Sequence, residues 1–345
     1  MLRIFTTIIV AFCMSAAIGQ DAIQTQEVTP VQEAPKPEFK PKGGVYGVIY
    51  ANYNQQYVGD SMSRNEMVLE RAYLGYKNQF DENWSADVKI DVSGKTESET
   101  GKRPTYLKEA YVKYSNNKFS ISGGMQGTPQ VAMQLKHWGN RYICNTASDM
   151  NQVGVAVADI GIVTTYKFND MFSADFSVFN GEGYSYTQAD AEYLQMLGVT
   201  ANLPAGVIAR VYGSFMADTV LRHFNDIKNP ETVYGGLLGI KTLEDKLVVG
   251  LEYSNANDLK NIEDNKINVT SAYLTYLITP KIQGFVRGDL INTDNVAGKT
   301  EKYLALGGAQ YIFNKNVQLS LDVQQTKVKS NDAKLGCFVH TQIKF

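Results

Sequence analysis

The chain has 345 residues, of which 44% are hydrophobic and 20% charged, and its 33 basic residues nearly balance its 35 acidic ones. This balance excludes a nucleic-acid-binding protein that depends on a basic surface, so we expect no nucleic-acid partner. A chain with three cysteines is no disulfide scaffold, and a mean hydropathy of -0.24 is too polar for a bundle of membrane helices. The 21 tyrosines, 15 phenylalanines and 29 glycines are typical of a protein with many strands.

The N-terminus predicts a secretory signal peptide at residues 1–19. Arg3 supplies a positive charge, an apolar run extends from Ile4 to Met14, and small residues end at Gly19 before a cleavage site. The apolar run is too short to span a membrane. A lipid anchor at Cys13 is excluded because the bulky Phe12 precedes it where such sites have a small residue. Residues 20–42 hold four of the nine prolines and show no apolar periodicity, which predicts a disordered, Pro-rich periplasmic lead-in.

The remainder, residues 43–345, is dominated by alternation with a period of two. Between Trp84 and Ser93 every second residue is apolar, and the residues between them are polar or charged. The same pattern recurs at 172–178, 207–215 and 317–324. Strands of this kind have one apolar and one polar face.

Short polar turns separate these strands. We place them at 81–83, 115–117, 169–171, 204–206, 244–246, 279–281 and 314–316. Between successive turns lie two strands joined by a longer polar loop, and two strands precede the first turn and two follow the last. Short turns at one end and long loops at the other are typical of outer-membrane barrels, whereas a β-sandwich mixes loop lengths at both ends. The fold class predicted is all-β: a 16-stranded antiparallel transmembrane β-barrel with short periplasmic turns and long extracellular loops.

One segment fits the alternation poorly. From Gln152 to Phe168 the apolar residues change from odd to even positions, as Val157 and Ile160 show. This pattern predicts either a bulge near Asp159 or a strand that starts later than Gln152.

The last strand indicates where the protein is located. Its apolar residues alternate up to Ile343, and the chain ends on Phe345. Alternation that ends on an aromatic residue resembles the assembly signal of bacterial outer-membrane barrels. We therefore expect a protein of the bacterial outer membrane, with lipid and the barrel-assembly machinery as partners and Phe345 as the assembly signal.

A barrel of this size is too wide for side chains to fill, so it encloses water unless it is plugged. The polar faces of the strands then form the wall of the lumen. The predicted wall residues are Arg71, Asp87, Lys89, Asp91, Glu109, Lys113, Arg210, Glu252, Arg287 and Asp289. Basic and acidic residues are equally numerous in this set, which predicts weak selection between anions and cations.

The longest loop, Gly127–Gln152, is the third long loop from the N-terminus. Long loops in compact structures are usually functional, and this one is amphipathic. We expect it to fold into the lumen and narrow the channel; an external loop is the alternative. The residues predicted at the constriction are His137, Trp138, Arg141, Tyr142 and Asp149.

Four segments carry a resemblance to a known family. They are Leu69–Asp91, Tyr106–Tyr114, Asp159–Phe168 and Val178–Tyr184. Together they resemble the phosphate-selective porin O and P family of bacterial outer-membrane porins. The resemblance implies a trimeric 16-stranded porin whose third loop forms the constriction. It also implies passive diffusion of small hydrophilic solutes or ions, including anions such as phosphate.

Two other function classes stay open. A barrel hydrolase would need a nucleophile and a base, but no nucleophile motif surrounds His137, Ser148 and Asp149, and no partner lies near His340 in sequence. A secreted, β-rich adhesin or surface-binding protein would also carry a signal peptide, but would not need apolar outer strand faces.

No residue spacing predicts a metal site or a cofactor. Cys144 and Cys337 either pair or remain free thiols.

Overall fold

The computed structural model describes residues 40–94, 101–188, 192–217, 229–329 and 331–345. The predicted signal peptide and all but the end of the predicted lead-in lie outside these residues. No helix among the described residues is long and apolar enough to cross a membrane.

Sixteen strands form one closed antiparallel barrel, as predicted. Each strand pairs with its neighbours in sequence, and β1 pairs with β16 to complete the ring. The strands are β1 Lys42–Val58, β2 Ser61–Gln79, β3 Trp84–Ser93, β4 Thr105–Ser115, β5 Phe119–Gly127, β6 Ala158–Lys167, β7 Phe172–Phe179, β8 Tyr193–Leu203, β9 Val207–Ala217, β10 Glu231–Thr242, β11 Leu247–Asn257, β12 Lys266–Thr279, β13 Ile282–Asn295, β14 Gly298–Ile312, β15 Val317–Val328 and β16 Lys334–Lys344.

The alternation places apolar side chains outside the barrel and polar ones inside. On β3, Val88 is 49% exposed on the outer surface, whereas its neighbour Asp87 is 6% exposed and faces the interior. On β15, Leu321 is 60% exposed and Asp322 is 5% exposed. An outer surface that is apolar all round is stable in contact with lipid, because every backbone group of a closed barrel is paired within the sheet.

The seven short turns lie close to the predicted positions, at 80–83, 116–118, 168–171, 204–206, 243–246, 280–281 and 313–316. Four of them share one local mechanism. The side-chain oxygen of Asn116 accepts hydrogen bonds from two backbone N–H groups, and Asp81, Asn169 and Asn314 do the same. These Asx turns reverse the chain without help from the rest of the fold, which is why sequence identifies them.

Exposed aromatic rings cluster around the short turns. Trp84 contacts Tyr114 with ring centroids 5.2 Å apart, and Tyr311 contacts Phe313 at 4.8 Å. Phe345 is also exposed at this end of the barrel. A ring of aromatic side chains at this level matches the interfacial girdle of membrane barrels.

Strand β6 begins at Ala158, so the second of the two interpretations of 152–168 is right. Val153 and Val155 precede the strand and are buried in an apolar cluster with Val131, Met196 and Val233. The change in parity arises because these valines pack inside the barrel, whereas Ile160 faces outward. The connection between β5 and β6 therefore extends over residues 128–157, beyond the predicted end at Gln152. It is the third connection at this end of the barrel but only the second long one, because two residues join β1 to β2, and it is called L3 below.

Candidate functional site

L3 contains two helices whose ends follow from local sequence. Helix α1 is Pro129–Trp138, with the proline in its first turn, where no N–H bond is lost. It ends at Gly139, whose φ of 74° allows its N–H to bond Leu135 O. The short helix α2 is Ala147–Met150 and begins after Thr146, whose side chain accepts a bond from Asp149 N.

The base of L3 is held closed by Thr128. This residue is fully buried, its hydroxyl donates to Ala156 O at 2.6 Å, and its N–H donates to Val157 O at 3.1 Å. The two ends of the loop thus lie side by side where they leave β5 and enter β6. The long segment between them contacts inward-facing side chains of several strands.

Arg210 on β9 holds the start of α1. Its guanidinium makes two bonds to Asp175 on β7, at 2.5 and 2.9 Å, and its Nε donates to Gln130 Oε1 at 2.8 Å. A buried ion pair of this kind is costly to break, because removing one partner leaves an uncompensated charge, typically at about 3–5 kcal/mol. The contact fixes one end of α1 to the barrel wall.

The end of α1 is held by a chain of polar groups. His137 Nδ1 lies 2.9 Å from Tyr273 Oη on β12, and Tyr273 Oη donates to Glu252 Oε1 on β11 at 2.9 Å. Burial and the nearby positive charge of Lys241 lower the pKa of His137 from 6.5 to about 4. The imidazole is therefore neutral at neutral pH.

Arg287 on β13 holds the middle of L3. Its guanidinium bonds both oxygens of Asp289, at 2.8 and 2.7 Å, and Nη1 donates to Asn145 O at 2.5 Å. The same guanidinium lies 5.4 Å from the ring of Trp138, whose indole N–H donates to Cys144 O at 2.8 Å. The bond from the Arg287 guanidinium to Asn145, its cation–π contact with Trp138 and the hydrogen bond of the indole N–H together order residues 138–145.

Tyr142 reaches a different part of the barrel wall. Its hydroxyl bonds Gln310 on β14, and its ring lies 6.4 Å from His340 on β16 and 6.4 Å from Tyr50 on β1. L3 thus contacts inward-facing residues of β1, β9, β12, β13, β14 and β16. It crosses the interior of the barrel.

The five predicted constriction residues fall into two groups. His137, Trp138 and Tyr142 are buried and turned toward the wall, where they attach the loop. Arg141 and Asp149 line a cavity of about 770 Å³. Among the described residues, Arg141 has no hydrogen-bond or ion-pair partner, so its guanidinium is available to a solute.

All ten predicted wall residues are on the inner face of the barrel, and most are paired. Lys89 Nζ lies 2.6 Å from Glu109 Oε1, and Arg71 Nη1 lies 3.0 Å from Asp91 Oδ2. The pairs Arg210–Asp175 and Arg287–Asp289 complete the pattern. Oppositely charged side chains therefore neutralise each other, either between strands or, as in Arg287 and Asp289, along one strand.

Lys108 is a wall residue that the alternation missed. It is buried, 3.6 Å from Asp91 Oδ2, and bonds Tyr73 Oη at 3.2 Å. The register between β3 and β4 shifts at Lys89, so that Glu109 pairs with Lys89 and Leu107 with Ile90. The extra residue lets both Lys108 and Glu109 face inward. The change of the apolar residues from odd to even positions between Leu107 and Val112 is the sequence signal that could have identified this bulge.

The structure also corrects the expectation that His340 lacks a partner. Its Nε2 lies 3.2 Å from Asp322 Oδ2 on the neighbouring strand, and Ser320 is directly opposite it in the register. The three residues are buried, and Tyr142 packs against His340. No substrate reaches this group while L3 is in place.

Both cysteines of the described residues are free thiols. Cys144 is buried in L3 and Cys337 is exposed on β16. Burial raises the pKa of the Cys144 thiol to about 11, so it is protonated and unreactive. No group of three or more His, Cys, Asp or Glu side chains in the described ranges is arranged to hold a metal ion.

The sequence matches no protein-family model, and no curated protein is similar to it. Solved structures do resemble the fold. An OmpF of Salmonella typhi, in complex with daunomycin, has a TM-score of 0.65 and 11% identity, covering 88% of this chain and 94% of its own. An anion-selective porin from Comamonas acidovorans has a TM-score of 0.64 and 11% identity, covering 89% and 100%. OmpT, an outer-membrane protein of Vibrio cholerae, has a TM-score of 0.64 and 14% identity, covering 90% and 99%. At these identities the similarity shows the fold.

Proposed function

We propose that this protein is a porin of the bacterial outer membrane, a water-filled channel through which small hydrophilic solutes diffuse passively. The observation that carries the proposal is the combination of an apolar outer surface, a charged inner wall and a loop folded across the interior. The signal peptide at 1–19, the lead-in at 20–42 and the barrel from residue 43 fit export to that membrane. The short turns then lie on the periplasmic side and the long loops outside the cell.

The narrowest part of the channel lies between L3 and the wall formed by the first strands. L3 contacts β1, β9, β12, β13, β14 and β16, so the free cross-section is bounded by wall residues of β3 and β4, such as Asp87, Lys89 and Lys113. Arg141 lies on the loop itself and acts on passing ions. The paired charges of the wall support weak selectivity, and preference for anions such as phosphate rests on the family resemblance.

The enzymatic alternative receives no support from His137. Its Nδ1 is engaged by Tyr273, and a Cβ at Gly239 would collide with its Nε2, so no substrate fits there. Ser148, which lies on the same loop, donates instead to Gln134 at 2.8 Å. A nucleophile and base within reach of each other and of substrate are required for hydrolysis.

Association into trimers and insertion by the barrel-assembly machinery complete the proposal. A trimeric form of the Vibrio cholerae OmpT is among the similar structures, with a TM-score of 0.61 and 14% identity. The apolar outer faces of the strands supply surface for contact with both lipid and neighbouring barrels.

Planar-bilayer recording of the purified protein tests the function. We expect stepwise, ohmic conductance increments and a reversal potential near zero in a salt gradient of ions with equal mobility. A large reversal potential of either sign would contradict weak selectivity. Folded protein that inserts into lipid without conducting would contradict the porin proposal.

A further inference from the structure

A cavity of about 770 Å³ lies at the long-loop end of the barrel, beside L3. It is enclosed by residues of L3, by the connection at 181–187 and by the turn at 259–261. This volume is within the range of about 300–1,000 Å³ that small-molecule sites occupy. A solute entering from the long-loop side meets this cavity before it reaches the part of L3 that is attached to β12–β14.

Tyrosines form part of the cavity wall, and one of them is held in a defined orientation. Tyr184 Oη donates to Asp91 Oδ2 at 2.7 Å, and its ring meets Tyr106 edge-on, with centroids 5.9 Å apart. Lys108 Nζ lies 4.9 Å from the centre of the Tyr184 ring and 4.7 Å from that of Tyr73. Tyr186 is 76% exposed on the same wall. Rings presented at a fixed angle offer flat apolar surface at little conformational cost.

The charges around the cavity cancel. Its cationic residues are Arg71, Lys108, Arg141 and Lys260, and its acidic residues are Asp149, Glu182 and Glu231. Asp91, fully buried, lies directly behind Arg71 and Lys108 and completes the balance. A cavity with little net charge concentrates ions of one sign only weakly, yet its guanidinium and carboxylate groups are strong hydrogen-bond donors and acceptors.

Flat apolar rings, together with donors and acceptors of balanced charge, suit a neutral ring compound that carries many hydroxyl groups. Its C–H face packs on an aromatic ring, and its hydroxyls bond to Arg71 and Arg141 on one side and to carboxylates on the other. We propose that this cavity is a binding subsite for neutral pyranose sugars on their way through the channel. The proposal rests on the porin function and names a solute class for it.

The test is sugar titration of the current carried by the purified, reconstituted protein. Maltose added to the long-loop side is expected to reduce the current in a saturable manner, whereas a mere effect on viscosity would be linear. Tyr184→Phe keeps the ring but loses the bond to Asp91, so it should weaken the block less than Tyr184→Ala. Tyr184→Ala and Tyr186→Ala should each raise the half-blocking concentration by about tenfold, as expected for loss of an aromatic contact of about 1.4 kcal/mol.

Tyr234→Ala is the matched control, because Tyr234 is exposed on the outer surface of β10 and should leave the block unchanged. A conducting protein whose current responds to maltose only linearly overturns the sugar site. Saturable block by inorganic phosphate without block by maltose also overturns it, in favour of an anion site. Folded, lipid-inserted protein that carries no current overturns the porin function itself, which separates that failure from failure of the sugar site.

Discussion

At the scale of single residues, most charged side chains of the wall are compensated by a neighbour, whereas Arg141 on the loop is not. Lys89, Arg210 and Arg287 each lie within 3 Å of a carboxylate oxygen, so much of their field is cancelled locally. Arg141 has no such partner among the described residues. Since an uncompensated charge in a narrow, poorly screened space has the largest effect on passing ions, Arg141 should dominate the selectivity of the channel.

Arg141→Glu should therefore shift the reversal potential toward cation preference. The charge changes sign at a loop position that has no ion-pair partner among the described residues, whereas the attachment of L3 is untouched. Bilayer recording in a salt gradient measures the shift. Lys299→Glu is a suitable control, because Lys299 is highly exposed at the start of β14, and it should change the potential much less. Equal shifts in the two variants would place Arg141 outside the conduction path.

His137 should make the attachment of L3 sensitive to acid. In the attached loop its pKa is lowered to about 4, whereas a detached imidazole titrates near 6.5. Only the detached state binds a proton between these values, so the attachment is complete above pH 6.5 and weakens as the pH falls toward 4. Tyr273 and Glu252 face the imidazole from the wall, and Lys241 repels its protonated form.

Open-channel current noise should accordingly rise in the wild type as the pH falls through that window. His137→Gln keeps a hydrogen-bonding group without a titratable one, and its noise should change much less over the same range. Wild type and variant with the same pH dependence would show that another group, such as Glu252, controls the loop.

Two adjacent residues on β3 test which side chains face lipid and which face the lumen. Val88→Lys puts a charge on the outer, lipid-facing surface, at an expected cost of about 2–4 kcal/mol near the centre of the bilayer. Lys89→Val removes one partner of a half-buried pair on the wet inner face and should cost less. Urea unfolding of both variants in lipid vesicles compares the two free energies. A larger loss in Lys89→Val would reverse the assigned orientation of the strand.

At the scale of elements, L3 is fixed to the barrel wall at several points along its length. Gln130, Asn145 and Tyr142 are bonded to three different strands, so the loop is held at its start, middle and far side. The strands themselves pair independently of it, because the ladder from β5 to β6 continues without interruption at its base. Barrel assembly and channel width are thus governed by different residues.

Deleting residues 133–142 should raise single-channel conductance without preventing assembly. The deletion removes much of the material that crosses the lumen, while the contact between Arg210 and Gln130 is retained. Conductance in bilayers is the measurement, and heat-dependent gel mobility verifies that the barrel is folded. Wild-type conductance from folded protein would mean that L3 does not limit the current.

At the scale of the whole molecule, the barrel depends on one seam between its ends. Phe345 N donates to Gly47 O at 3.0 Å, and Gly47 N donates to Phe345 O at 2.9 Å. The phenylalanine ring lies over Gly47, where a Cβ would collide with it. The last residue of the chain therefore completes the pairing of β16 with β1 and places an aromatic ring at the lipid interface.

Deleting Phe345 should lower the amount of barrel in the outer membrane and leave precursor in the periplasm. The variant lacks both hydrogen bonds and the interfacial ring at the seam. Fractionation followed by immunoblotting measures the two pools. Phe345→Tyr keeps the ring and the backbone pairing and should assemble normally. Full assembly of the deletion variant would contradict a role for Phe345 in insertion.

Sequence alone determined the number of strands, the short turns and the residues on each face. These features depend on local alternation and on Asx turns such as those at Asn116 and Asn169, and both are properties of neighbouring residues. Tertiary structure decided the rest. The pairing of His340 with Asp322, the inward turn of Lys108 and the attachment of Tyr142 depend on register, on a bulge and on contacts between distant strands. Alternation predicts which face a side chain is on, but only the closed barrel determines which side chains meet across it.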